Sequence, residues 1–156
     1  MAVHVLWVIK GLGPGGAERL LVALAGAHDP EVATFECAFV VPWKDHLVAD
    51  LEARGVRCHC LSTSRRDPRW PIRLARLARE PATLVFYEAP HRLTESLAAM
   101  VECLGPQREA VLARELSKAF ETVKRDSLEG LHQLVQADSN QRRGEIVLLV
   151  AGWRES

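Results

Sequence analysis

The sequence predicts an α/β protein: a three-layer, Rossmann-like β-α-β-α-β-α half continued by a β-α-β-β-α-β half, in a mixed sheet of about seven strands. Two observations carry this. Before residue 80, short apolar runs rich in Val, Leu and Ile alternate with stretches of helical periodicity over short connections, the pattern of a parallel sheet with right-handed crossovers. After residue 80 two strand-like runs follow one another directly, which implies antiparallel pairing.

The elements follow in order. His4–Ile9 is an apolar run ended by Lys10 and a glycine cluster, hence a buried strand. Ala17–Ala27 sets Ala17, Leu20, Leu21 and Leu24 on one helical face. Thr34–Val41 is a strand stopped by Pro42. His46–Arg54 reads as a helix, with Gly55 in the position that favours a left-handed residue after a helix end. Val56–Leu61 is a third strand, and the three are nearly apolar throughout, as when helices cover both faces. Asp67 and Pro68 introduce a helix through Arg79, with Pro71 in its first turn. Thr83–Tyr87 is a strand, and Pro90–Leu104 a helix ended by Gly105. Glu109–Glu115 and Phe120–Arg125 are strands joined by a short turn, Ser127 caps a helix to Ala137, and Gly144–Ala151 is a last apolar strand. No Gly/Ser-rich spacer separates the parts, so residues 1–156 are expected to form a single α/β domain built of two segments, 1–79 and 80–156.

An apolar content of 48% with 26% charged residues is that of an ordinary globular protein. The formal net charge is zero, and neither segment is strongly polarised, so no global field favours nucleic acid or membrane. Cys37, Cys58, Cys60 and Cys103 form no CxxC pair and no metal set, and are expected to be reduced and structural. No cationic leader and no long apolar run is present, which predicts a cytoplasmic chain without membrane contact.

Gly11-Leu12-Gly13-Pro14-Gly15-Gly16 lies between a strand and a helix and formally matches GxGxxG. Glycines allow a close approach to phosphate, and a helix N-terminus favours an anion. Dinucleotide binding also needs an acid at the tip of the second strand, whereas Glu36 lies within it. A tight structural turn is the alternative. Residues from Val5 to Arg19, ending in Gly-Pro-Gly-Gly-Ala-Glu-Arg, together with the Leu-Glu-Ala-Arg-Gly-Val-Arg of Leu51–Arg57, resemble the N-terminal domain of a family 4 (GT-B) glycosyltransferase over about residues 3–79. That resemblance implies an acceptor-holding domain whose glycine loop faces a donor diphosphate, and a second, nucleotide-binding domain for which the chain has no counterpart.

Arg65, Arg66, Arg69, Arg73, Arg76 and Arg79 crowd one stretch. Clustered arginines can displace counterions from a phosphate backbone. Without interleaved aromatics, the stretch reads as a solvated helix face.

Thr83-Leu-Val-Phe-Tyr-Glu-Ala-Pro-His-Arg92, Ala113-Arg-Glu-Leu-Ser-Lys-Ala-Phe-Glu121 and Arg143-Gly-Glu-Ile-Val-Leu-Leu-Val150 occur in that order. With these strings, residues 80–152 resemble the C-terminal domain of the 16S ribosomal RNA cytidine 2′-O-ribose methyltransferases, of tetrapyrrole-methylase fold. The resemblance implies S-adenosylmethionine bound in a cleft that a second domain helps to form. Glu88, His91 and Arg92 fall at a strand end and helix start, where His91 suits a proton shuttle and Arg92 a phosphate. Local hydrogen bonds are the competing account, and Arg114, Glu115, Lys118 and Glu121 equally suit an ion-pair network around a turn.

Two family signatures meeting near residue 80, each without its other half, imply a recombined chimera with both sites incomplete. The expectation is then a non-catalytic protein with no catalytic residue, no metal, no cofactor, and nucleic acid an unlikely partner. Gly13, Gly15, Gly16, Glu88, His91 and Arg92 would be vestigial cofactor-binding positions. The alternative is a residual S-adenosylmethionine-dependent ribosomal RNA methyltransferase or its cofactor-binding fragment. A third possibility is self-association through surfaces once buried against a lost domain.

Overall fold

A computed structural model describes residues 2–154 apart from positions 65, 78 and 80. The chain divides into two compact units, one reaching to Thr83 and including Trp153 and Arg154, the other Leu84–Gly152.

In the first unit, β1 (Val3–Ile9), β2 (Ala33–Phe39) and β3 (Arg57–Cys60) are parallel. Val3 stands opposite Ala33 at one end of the β1–β2 ladder and Ile9 opposite Phe39 at the other. Helices α1 (Gly16–Ala27), α2 (Val48–Glu52) and α3 (Trp70–Leu77) follow the three strands in turn. Leu6, Trp7, Leu12, Leu21, Cys37, Phe39, Leu51 and Val56 form the core. Trp7 stacks on Phe35 with ring centroids 4.4 Å apart.

Some bounds differ from the sequence expectation, for identifiable reasons. β2 stops at Phe39 because the amides of Val40 and Val41 both donate to the Lys10 carbonyl and leave the ladder. α2 is only five residues long: the Leu47 amide is drawn to Leu12 O, and Gly55 at φ +80° ends the turn. Residue 78, within the helix expected to run through Arg79, lies outside the described residues. The strands of this unit are also less uniformly apolar in effect than expected. The Glu36 carboxylate on β2 meets His59 Nε2 at 2.5 Å, Arg57 Nη1 at 3.5 Å and His4 Nε2 at 3.7 Å, a polar network toward the strand starts.

In the second unit, β4 (Thr83–Glu88), β5 (Glu109–Arg114), β6 (Thr122–Ser127) and β7 (Ile146–Val150) pair antiparallel in the order β4-β7-β5-β6. Pro90–Arg92 forms a 3-10 turn rather than the first α-helical turn, and α4 then runs Leu93–Leu104. α5 (Leu128–Ala137) is capped by Ser127, whose Oγ accepts from the Gly130 amide at 3.1 Å. Leu84, Leu93, Leu97, Leu112, Leu128, Leu131, Val135 and Leu148 are fully buried among α4, α5 and the strands. The seven described strands, parallel in one unit and antiparallel in the other, make the mixed α/β fold the sequence predicts. No helix among the described residues is long and apolar enough to cross a membrane.

Candidate functional site

The register of the second unit gathers three distant strings at one end of its strands. Glu88, the last residue of β4, lies opposite Ile146, the first of β7. Ile146 lies opposite Arg114, the last of β5, and Arg114 opposite Thr122, the first of β6. The strand-end segment Glu88–Arg92, the loop Glu115–Glu121 and the turn Arg143–Glu145 therefore share one edge.

Glu88 is the hub of the first segment. Its side chain is 14% exposed, and its carboxylate accepts from the Ala89 amide at 2.8 Å and from Ser96 Oγ at 2.5 Å. Arg92 Nη2 pairs with it at 3.2 Å. The 3-10 turn begun by Pro90 makes this pairing possible, because it brings residue 92 back beneath the strand end. The guanidinium reaches solvent, yet its buried Nε–H has no acceptor among the described residues. A buried donor of this kind is costly unless an acceptor meets it. His91 is exposed on the same turn.

The loop after β5 is not the short turn expected but a built structure. Glu115 and Ser117 adopt left-handed φ values of 54° and 61°, unusual for residues other than glycine. Glu115 Oε1 accepts from the Glu145 amide at 2.6 Å, and the Glu115 amide donates back to Glu145 O at 2.9 Å. The Glu145 amide, with Lys118 beside it, holds the Glu115 carboxyl below the usual carboxylate range. Lys118 Nζ bridges Glu115 at 3.4 Å and Glu145 at 3.3 Å. The Ser117 amide donates to Glu121, and Arg114 donates to Thr122 Oγ1 and the Arg143 carbonyl. Gly144, at φ +80°, completes the corner, where a Cβ would collide with the Glu115 carboxylate. Of the ion-pair network around a turn that the sequence allowed, Glu115 and Lys118 pair, whereas Arg114 and Glu121 bond to neutral groups. Its groups already satisfy one another, so it acts as a rigid wall.

The glycines of the first unit offer different chemistry. Gly13 is buried, while Gly15 and Gly16 are exposed at the start of α1. The Leu12 amide and carbonyl are taken by Lys44 and Leu47. The Glu18 carboxylate folds back against Gly15, so the positive end of the helix already faces an anion. A Cβ at Gly11 would strike Lys44, whereas Gly16 is open. Gly11 thus answers to packing, and Gly16 does not. Among the described residues no group of three or more His, Cys, Asp or Glu side chains is arranged to hold a metal ion.

Sequence reasoning picks out Glu88, His91 and Arg92 but not Ser96. A serine eight residues beyond a glutamate carries no signal until the 3-10 turn folds it back.

Comparison with known proteins adds three relatives, each named "Ribosomal RNA small subunit methyltransferase I". The one from Pseudomonas aeruginosa is 61% identical over 82 residues, covering 53% of this chain and 29% of the relative. The one from Xylella fastidiosa is 42% identical over 121 residues, covering 72% of this chain and 42% of the relative. That of Vibrio cholerae is 46% identical over 84 residues, covering 54% and 29%. The chain spans less than half the length of each. No family model matches it. Among solved structures, the methyltransferase CobJ aligns at TM-score 0.41 with 14% identity, over 100% of this chain and 98% of that one. Cobalt precorrin-4 methyltransferase CbiF aligns at TM-score 0.43 with 11% identity, over 96% and 84%.

These relatives correct several expectations. The Xylella match covers 72% of the chain, whereas the part from residue 80 onward is less than half of it. The similarity therefore reaches back into the segment that resembles a glycosyltransferase, and no comparison supports a glycosyltransferase part or a chimera. The non-catalytic reading falls with the chimera that motivated it. The expectation of no cofactor falls too, since the relatives are named methyltransferases and methyl transfer needs a donor. So does the view of nucleic acid as an unlikely partner, because those same names specify ribosomal RNA. The physical reason is one of range. Net charge is a sum that hides where the charges lie and the geometry of one glycine loop is a local property, so neither reports what a longer stretch of fold is built to do.

Proposed function

We propose that this chain is part of an S-adenosylmethionine-dependent methyltransferase that acts on small-subunit ribosomal RNA, at a ribose 2′-hydroxyl. The observation that carries the reading is the convergence of Glu88–Arg92, Glu115–Glu121 and Arg143–Glu145 on one strand edge, in a chain similar to methyltransferases of that name. Arg92 fits such a ligand, with a buried Nε–H lacking an acceptor among the described residues and a guanidinium open to solvent. It would hold the carboxylate of the cofactor's methionine end. Glu88 fixes the Arg92 guanidinium and presents carboxylate oxygens suited to an ammonium group. His91, exposed one residue away, is of a residue type suited to proton transfer. The cofactor, when bound, supplies a methyl group activated on a sulfonium. Gly13, Gly15 and Gly16 are left out of this assignment, because Glu18 places a carboxylate where an anionic ligand would sit.

Calorimetric titration of the chain with S-adenosylmethionine and with its demethylated product tests the proposal. Saturable binding of both, weakened about tenfold or more by Arg92→Ala, is the expected result. Absence of heat at millimolar ligand, with the protein folded, would overturn it.

A further inference from the structure

Arginines crowd α3 and its flanks more densely than any other stretch of the chain. Arg69, Ile72, Arg73 and Arg76 follow the three- and four-residue spacing that sets side chains on one helix face, and Arg79 lies two residues beyond the helix end. Arg73 is committed locally, donating to Asp67 at 2.8 Å and to the Leu61 carbonyl at 2.8 Å. Arg66, Arg69, Arg76 and Arg79 are exposed and have no side-chain partner among the described residues. Elsewhere in the unit Arg54 and Arg57 each meet a carboxylate, whereas Arg19 is exposed and single in its stretch of sequence. From Pro68 to Arg79 the sequence contains no acid. A helix face kept for solubility interleaves both signs, and like charges at this spacing cost helix stability. Ile72, 59% exposed, sits in a shallow groove lined by Arg69, Arg73 and Arg76.

We infer that this face, Arg69 and Arg76 beside Ile72 with Arg66 and Arg79 on its flanks, is a docking surface for the phosphate backbone of a single-stranded ribosomal RNA segment. The inference rests on the methyltransferase reading for the identity of its partner. Its physical basis is charge complementarity. Uncompensated guanidiniums at Arg69 and Arg76, seven residues or roughly 10.5 Å apart along a helical axis, can each take a phosphate in forked hydrogen bonds. The apolar Ile72 between them offers contact to a ribose or base face without charge. Asp67 anchors the surface: it accepts from the Thr63 and Arg69 amides and pairs with Arg73, so the start of the helix is fixed before any ligand arrives.

The test is fluorescence anisotropy of a labelled, mixed-sequence single-stranded RNA with the full chain at several salt concentrations, beside calorimetry with S-adenosylmethionine. Each phosphate contact contributes about −0.7 to the slope of log affinity against log salt, so four contacts give a slope of about −3. Arg69→Gln with Arg76→Gln should reduce that slope by about 1.4 and weaken binding about tenfold or more. The same pair changed to lysine should keep most of the slope. Cofactor binding and the melting temperature should not move in either variant. An unchanged slope and affinity in the glutamine variant would overturn the proposal, as would stronger, arginine-dependent binding to phosphatidylserine vesicles than to RNA. If the parent chain binds RNA but not the cofactor, the methyltransferase reading alone is lost. If it binds the cofactor but not RNA, the docking surface alone is lost.

Discussion

Ser96 Oγ lies 2.5 Å from Glu88 Oε2, a bond that ties the end of β4 to the first turn of α4 across the 3-10 turn between them. The bond fixes one carboxylate oxygen and leaves the other to the Ala89 amide and Arg92. Glu88 is thereby oriented before any ligand approaches, which is the condition for precise positioning of Arg92.

Ser96→Ala should therefore lower stability only slightly, by about 1 kcal/mol, while weakening S-adenosylmethionine binding severalfold. Urea unfolding and calorimetry separate the two effects. Equal cofactor affinity in the variant and the parent would show that the orientation of Glu88 is irrelevant to the site.

Gly144→Ala should be far more disruptive than its size suggests. Its backbone lies at φ +80° and the added Cβ meets the Glu115 carboxylate. The left-handed conformation alone costs about 1–2 kcal/mol, and displacing Glu115 frees the Glu145 amide as well. A drop in urea midpoint with unchanged slope is expected, and an unchanged midpoint would refute the account of this corner.

Stability should fall as acid is added. Asp67 is held below the ordinary carboxylate range by the Thr63 and Arg69 amides, Asp138 by the Gln141 side chain and Asn140 amide, and Glu115 by the Glu145 amide. Each folded value lies below the unfolded one. The stabilisation is thus complete above ordinary carboxylate values and is lost as pH falls through the depressed range. Urea midpoints followed from neutral pH to about 2 should show this loss, and Asp67→Asn should flatten part of it.

Leu148→Ala should cost about 2–5 kcal/mol, because the residue is fully buried at the middle of β7 between Phe86 and Leu112. A smaller change would mean that the core around it collapses to fill the space.

The order of strands and helices is legible in the sequence because apolar runs and helical periodicity alternate cleanly in this chain. Gly55 and Gly105 also fall where a positive φ is expected, at 80° and 99°. What local pattern cannot give is anything settled at a distance. The loop Glu115–Glu121 looks like a short turn, since nothing in its letters marks Glu115 and Ser117 as left-handed. The Glu145 amide and Gly144, some thirty residues on, impose that shape. β2 loses its last residues to a carbonyl beyond another strand, Lys10 O. Glu88 and Arg92 are legible as a strand-end pair, but the alignment of Glu88 with Ile146, and of Ile146 with Arg114, depends on which strands pair. The arginines of α3 are visible as letters, yet their lack of partners among the described residues is a property of the surroundings.

The strand that joins β4 to β5 is also the last of the seven to leave the ribosome. Until Ile146–Val150 is made, β4 lacks this ladder partner and β5 has only the local hairpin to β6. The shared edge that carries the three strings therefore forms late. It waits on contacts separated by dozens of residues, the kind that slow folding most. Only once β7 is made can the register form that aligns Glu88 with Ile146 and Ile146 with Arg114.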